Sequence, residues 1–366
     1  MLHERRLPDD LAQDLDRVFR FKLRLLDWLL RSPPKALDDN ALLVLQFGQP
    51  LGGWLWTRIR RPEKRTAFGK AVMALAAKAL VSPAEATGVA DAIAHDAEFD
   101  CNWDLAGNEL FFPRLHLNWL ETVRNVAEPF YDWFAGSGFL SAPFALTGGT
   151  IDRATLMKAF RPQSYGVCGY CDGTLGELGT KSEANDCDHF FPKAQWPHLA
   201  IHPRNLFSAC QGCNSRWKLA NTPMGSADAS GLNGTYHPML RPGASSVVVS
   251  AIISPTNSRQ VKINITDPIV PRRAETLVAT LELDSRWTNS SNESLDRGVS
   301  VFVAKSARDK GNGWQPDADS VRLMIEDDIA WKQEQLGKEE RCMRLIAVLE
   351  CMRNDLLHEV IAELTI

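Results

Sequence analysis

The chain has 366 residues, 45% hydrophobic and 23% charged, with 41 Lys and Arg against 45 Asp and Glu. That length exceeds what one hydrophobic core serves, so two domains, or a small domain set inside larger flanks, are expected. The near balance of charge excludes attraction to nucleic acid by net field, leaving only a local patch for such contact, and the lack of any charge-free apolar run of about 18 residues excludes a spanning helix.

The first residues, MLHERRLPDDLAQDLDRV, are charged throughout, which argues against a secretory signal and for a cytoplasmic protein. Residues 11–30 carry Leu11, Leu15, Val18, Phe19, Leu23, Leu26 and Leu30 mostly three or four apart, with Arg17, Arg20, Lys22 and Arg24 between them. That spacing predicts an amphipathic helix, ended by Pro33 and Pro34. The run RIRRPEKR, residues 58–65, is the most basic short stretch of the chain and reads as a solvated loop between helices, with nucleic-acid contact as its functional alternative. Residues 66–81 predict a further helix. Ser82, Pro83 and Glu85 then supply the next one with an N-cap, a first-turn proline and an acidic residue three positions from the cap. Residues 120–134 and 151–160 add two more, so residues 1–155 form a mainly helical region suited to binding a target or partner.

Past the cysteine-rich middle, residues 245–254 and 261–267 are rich in β-branched side chains and predict a strand pair. Residues 272–283 read as a helix, TNSSNES at 288–294 as a loop, VSVFVAK at 299–305 as a strand, and 320–364 as two helices split near Gly337. Glycine and serine at 224–234 mark a hinge after the central module. The expected division is 1–155, 156–225 and 226–366. The last region is a mixture of strand and helix available for substrate positioning or oligomerisation.

Eight cysteines are too few for a secreted disulfide scaffold. Four form two Cys-x-x-Cys pairs, Cys168 with Cys171 and Cys210 with Cys213, whose thiolates suit a four-sulfur zinc site; an iron–sulfur cluster is the less favoured occupant. Four thiolates leave no open coordination position, so this zinc is expected to be structural. The other four, Cys101, Cys187, Cys342 and Cys351, read as buried thiols. Between the pairs, Phe190, Phe191, Trp196, Leu199, Ile201, Leu206 and Phe207 promise only a minor core, which the metal would have to supplement.

The order Cys-x-x-Cys, Asp188-His189-Phe-x-Pro192, Asn205-Leu206, Cys210-x-x-Cys213-Asn214 resembles the zinc-stapled branch of the HNH endonucleases, over residues 167–217, about a seventh of the chain. The resemblance implies an α+β fold in which a ββα-metal core with a four-cysteine zinc knuckle is embedded between the helical and mixed flanks. It implies that His189 is the general base, that Asp188 and Asn214 hold a catalytic magnesium or manganese ion, and that Asn205 orients the histidine loop. The chemistry is apt, since neutral imidazole can take a proton from water and carboxylate and amide oxygens suit a hard cation. Adjacent residues of an extended strand point to opposite sides, so the strand must end or bend at Asp188 and His189. A helix from about Ser208 would bring Cys210, Cys213, Asn214 and Trp217 within two turns.

Two features depart from the family pattern. Trp217 stands where relatives often carry lysine, leaving Arg216 and Lys218 as candidate phosphate contacts. KAQWPHLAIHP replaces the usual glycine-containing turn and adds His198 and His202 as further candidates. The resulting expectation is a metal-dependent endonuclease acting on nucleic acid, DNA first and RNA second, in a setting such as antiviral defence or restriction. No GxxxxGK[ST] motif is present, so an energy-driven step would need a separate ATPase or regulatory partner. The alternative is a non-catalytic zinc-containing nucleic-acid-binding or adaptor protein.

Overall fold

The structure is a computed structural model that describes residues 4–37, 39–61, 64–105, 109–164, 168–171, 173, 175, 185–219, 231–243, 246–254, 257–293, 317–335, 343–358 and 361–362. The chain divides into two compact units: Met1–Glu4 with Tyr165–Leu175 and Gly234–Ile366, and Arg5–Ser164 with Gly176–Asn233. No helix among the described residues is long and apolar enough to cross a membrane.

The second of these units is built on α1 (Asp9–Arg31), which opens on Asp9 and Asp10, ends on Arg31 and buries Leu15, Val18, Phe19, Leu25, Leu26 and Leu29. Acidic residues at the start and a basic one at the end match the helix dipole. Buried Asp14 accepts hydrogen bonds from Thr147 N, Thr147 Oγ1 and Gly148 N at 2.9–3.0 Å, tying a distant loop to this helix. Around α1 pack α2 (Ala41–Phe47), α3 (Leu51–Ile59), α4 (Ala67–Val81), α5 (Pro83–Ala97) and α6 (Leu120–Ala135). Phe21, Phe47, Trp54, Phe130 and Phe144 meet edge-to-face or tilted at their centre. Thr66 caps α4 by accepting from Gly69 N at 3.0 Å. A short α7 (Ser141–Phe144) follows, and α8 (Arg153–Ser164) completes the helical part.

The basic run does not form a plain loop. Its flanks pair as a two-stranded ribbon, β1 (Arg60–Arg61) with β2 (Lys64–Arg65). A second small ribbon joins β3 (Phe139–Leu140) to β4 (Thr150–Ile151).

In the other unit β7 (Val248–Ser254) pairs antiparallel with β8 (Asn257–Thr266), so the second strand starts earlier in the chain than the sequence suggests. Helix α9 (Pro271–Leu281) packs on β8. Residues 283–293 are helical (α10), although TNSSNES reads as a loop. The reason is tertiary: Thr288 Oγ1 accepts from Ile263 N at 3.0 Å and Asn292 Oδ1 from Val261 N at 2.9 Å, so these polar residues satisfy the edge of β8. Helices α11 (Ala318–Gln335) and α12 (Met343–Asn354) occupy the tail, α12 resting on β7. The predicted strand at 299–305, the hinge at 224–230 and the break near Gly337 lie outside the described residues.

Candidate functional site

Strand β5 (Asn185–His189) pairs antiparallel with β6 (Leu206–Cys210), from Asn185 opposite Cys210 to His189 opposite Leu206. The helical coil that follows begins at Gln211, not near Ser208, because residues 206–209 are buried on both faces and bonded across the ladder. It winds wide over Cys213–Lys218, Leu219 N reaching back five residues to the Asn214 carbonyl at 3.1 Å. A Cβ on Gly212 would lie 2.6 Å from the Trp217 ring, so glycine is what lets Trp217 close over the turn. The coil ends at Leu219 with φ 50°, a left-handed conformation that costs a branched side chain energy.

The ladder stops at His189, and Phe190 N bonds to the Asn205 carbonyl at 2.9 Å. Asn205 is fully buried. Its Oδ1 accepts from Phe191 N at 2.7 Å, and its Nδ2 donates to the carbonyls of Phe191 at 3.2 Å and Leu199 at 2.9 Å. One amide thus ties residues 191 and 199 of the loop between the strands to its far end. Phe190, Phe191, Leu199, Ile201, Leu206 and Phe207 are fully buried, but their core is not a minor one. It is shared with the turn that follows α5: Phe191 meets Phe99 edge-on at 4.9 Å and Phe190 meets Trp103 at 5.6 Å.

His189 is 7% exposed. Its Nε2 lies 3.0 Å from the Ala200 carbonyl, and since a carbonyl can only accept, Nε2 carries the hydrogen. Nδ1 therefore holds the lone pair, and no described residue hydrogen-bonds to it. The ring packs on Tyr131 of α6 at 4.5 Å, and the Lys193 ammonium stands over that same Tyr131 ring at 4.8 Å while pairing with Glu128 at 2.9 Å. Burial, then the charges of Lys218 and Lys193, push the His189 pKa down to about 3. The imidazole is thus neutral across the whole physiological range, further from 6.5 than the sequence alone implies.

Asp188, 3% exposed, uses Oδ1 to accept from His189 N at 2.7 Å and from Lys218 Nζ at 3.1 Å. Lys218 is 1% exposed, so it faces this carboxylate and not solvent. Arg216 is exposed, its guanidinium over Trp217 at 5.7 Å, and Asn214 is half-buried on the wide turn. Asp188 and His189 share a strand end but meet different neighbours, as alternation along a strand requires.

His198 and His202 are buried, not presented at the surface. His198 approaches Asp96 at 3.4 Å and meets Phe112 edge-on; His202 packs on Phe19 and Phe99 at 4.6 Å. Both hold the loop to the helical part. Sequence reading missed Tyr131 and Lys193, along with the buried counter-ion role of Lys218. Tyr131 lies on a helix 58 positions before His189, and nothing local to the motif points to it.

The thiol ligand atoms of Cys168, Cys171, Cys210 and Cys213 lie within 4.8 Å of one another. Sulfurs around one tetrahedral zinc at about 2.3 Å stand about 3.8 Å apart, so a small inward adjustment fits the ion. Both turns are bent to receive it: Tyr170 N donates to Cys168 Sγ, and Cys213 N to Cys210 Sγ, each at 3.4 Å. None of the described cysteines is in a disulfide. This is a buried metal-binding cluster suited to structural zinc, and among the described residues it is the one such group of three or more Cys, His, Asp or Glu side chains. Of the remaining thiols, Cys187 and Cys351 are buried, Cys342 is outside the described residues, and Cys101 is exposed, contrary to expectation, on the turn after α5.

The chain is 31% identical over 78 residues to the Septu protein PtuB of Bacillus thuringiensis, a stretch that covers 21% of this chain and 29% of that protein. The chain thus spans under a third of the curated relative that it matches. No protein-family model matches the chain, and no solved structure matches it.

Proposed function

We propose that the protein is a metal-dependent endonuclease hydrolysing phosphodiester bonds in nucleic acid, DNA in the first place, with a ββα-metal HNH core formed by β5, β6 and the coil at 211–218. The observation that carries the reading is His189: a neutral imidazole at a strand end, its Nε2–H tied to the Ala200 carbonyl and its Nδ1 lone pair unengaged by the described residues. In the proposed reaction Nδ1 takes a proton from water, the water oxygen bonds to phosphorus, and the bond from phosphorus to O3′ breaks, with O3′ then protonated by solvent. The incoming phosphate's negative charge opposes the effect of Lys218 and Lys193 on the imidazole and raises its basicity. Asn205 acts as a positioning residue through the loop it clamps. Asp188 and Asn214 offer the hard oxygen donors that would hold magnesium or manganese, which when bound would offset charge growing on the phosphate and leaving oxygen.

A cytoplasmic role in antiviral defence or restriction, with a separate ATPase or regulatory protein as partner, is the setting that we assign. It is supported by the HNH-like motif order and by the stretch shared with the Septu protein. The experiment is plasmid nicking by zinc-loaded protein with added magnesium or manganese. His189→Ala should lower the rate by roughly 10² to 10⁴ fold, while zinc content and folding stay unchanged. Equal rates in the two proteins would remove the assigned base.

One observation favours the second reading, a non-catalytic zinc-containing nucleic-acid-binding or adaptor protein. The Lys218 ammonium already neutralises Asp188 inside the protein, as a purely structural ion pair would. Under that reading nucleic acid or a partner is bound with no cleavage under any ion, and His189→Ala leaves binding intact.

A further inference from the structure

The hairpin of β7 and β8 has two outer edges, and the protein treats them differently. On β8 the outward Val261 N and Ile263 N donate to Asn292 Oδ1 and Thr288 Oγ1 of α10, so that edge is covered. In an antiparallel ladder, a residue whose N–H points away from the partner strand stands opposite one that points away as well. Val261 is opposite Ile253, Ile263 opposite Ala251 and Ile265 opposite Val249. The N–H and C=O groups of Val249, Ala251 and Ile253 therefore point outward from β7, and none of them is hydrogen-bonded among the described residues.

Proteins blunt an edge strand with a charge, a proline, a bulge or a covering element. The sequence of β7 is VVSAIIS, seven residues with no charge and no proline, and its register with β8 breaks only at Ile253/Ser254, the hairpin end. One face of the strand carries Val249, Ala251 and Ile253, beside the buried Ile265, Ile263 and Val261. The other carries Val248, Ser250 and Ile252, of which Val248 is 50% and Ile252 45% exposed. Helix α12 touches β8 as well as β7, so it lies across the hairpin and not alongside the open edge.

We propose that the open edge of β7 pairs antiparallel with β7 of a second copy of this chain, joining two hairpins into one four-stranded sheet. A dyad at Ala251 sets Ala251 opposite Ala251 of the partner subunit and Val249 opposite Ile253 of the partner subunit. Residues 249, 251 and 253 are symmetric about that dyad, so the outward groups of all three are bonded at once. On the outer face Ile252 meets Ser250 of the partner subunit directly and Ile252 of the partner subunit on the diagonal, which covers the apolar side chain that each copy exposes. The strand suits itself as a partner because it is neutral, whereas a lysine or glutamate near the dyad would be brought close to its own copy. The inference is independent of the nuclease reading, since it is tested without nucleic acid.

The test is sedimentation velocity of the zinc-loaded full chain over roughly 1 to 100 μM, the range in which a small interface of this kind dissociates. The proteins are the parent, Ile252→Lys, Ala251→Pro and the control Leu323→Lys, which changes an exposed apolar residue of α11. The parent should pass from monomer to dimer over that range. Ile252→Lys should weaken dimerisation about tenfold or more, through lost burial and repulsion across the dyad, with partial recovery in high salt. Ala251→Pro removes an N–H that the single chain does not use, so it should fold and stay monomeric throughout. Should Ala251→Pro unfold, Ile252→Lys decides, since it leaves the main chain untouched. Leu323→Lys should match the parent. Amide exchange at Val249, Ala251 and Ile253 should slow with rising concentration in the parent and not in Ile252→Lys. A parent that stays monomeric overturns the proposal and leaves the edge to a foreign strand. So does an Ile252→Lys protein that dimerises like the parent, which places the dimer contact on another face.

Discussion

Replacing Lys218 with methionine tests how the buried pair at the centre of the site is held. The substitution keeps most of the stem and removes the ammonium 3.1 Å from Asp188 Oδ1. At that distance, and with an effective dielectric of about 20, the attraction is about 5 kcal/mol. Much of it offsets the desolvation of two charges that are 1% and 3% exposed, so the intact pair adds little net stability. The single variant keeps the desolvation of Asp188 and loses the cation, and it should cost about 3–5 kcal/mol. Against a typical total of about 5–15 kcal/mol, that is a large drop in the urea midpoint of the unit containing the pair. Asp188→Asn/Lys218→Met keeps an acceptor for His189 N–H without a buried charge, and it should recover most of the loss. Added manganese should raise the midpoint of Lys218→Met and hardly move that of the double variant, because a ligand stabilises only through the site that binds it. Urea unfolding followed by tryptophan fluorescence measures all three. A Lys218→Met midpoint equal to the parent's, or a double variant as unstable as the single, would refute the reasoning.

Metal analysis of dialysed protein should return about one zinc per chain, and Cys171→Ser should lose it together with several kcal/mol of stability; full zinc in that variant would exclude the four-thiolate site. Asn205→Ala strands the buried Phe191 N–H and Leu199 carbonyl and should destabilise by about 3 kcal/mol while slowing any cleavage, as urea midpoints and nicking rates would show. Acid should weaken the fold. Burial, chiefly, with Lys22 nearby, depresses His202 to about 3, and burial lowers His198 too, so both are neutral when folded and take protons when unfolded. Stability is therefore complete above about pH 6.5 and falls below it, by up to about 1.4 kcal/mol per pH unit for each group, until the folded pKa is reached. His202→Phe should flatten that fall between about pH 6.5 and 5, and a profile unchanged from the parent would count against it.

Some of this protein was legible in its sequence because the signals are local. Apolar residues three or four apart located α1, α4, α6 and α9, and turn residues bounded them within a few positions. The two Cys-x-x-Cys pairs located the thiol cluster, since that spacing bends each pair onto one ion whatever surrounds it. Other features depend on segments far apart in the chain. Residues 288–293 are helical because Thr288 and Asn292 cap the exposed edge of β8, and no property of that polar run foretells the strand. Lys218, polar and two positions after Arg216, looks like a surface cation until the wide turn carries it to Asp188. His198 and His202 look like loop histidines until Asp96, Phe19, Phe99 and Phe112 enclose them. Periodicity and ligand spacing are written over a few residues, so the sequence alone determines the helices and the cysteine cluster. Burial, charge pairing and histidine tautomer depend on which surfaces meet, and only the tertiary structure brings those surfaces together.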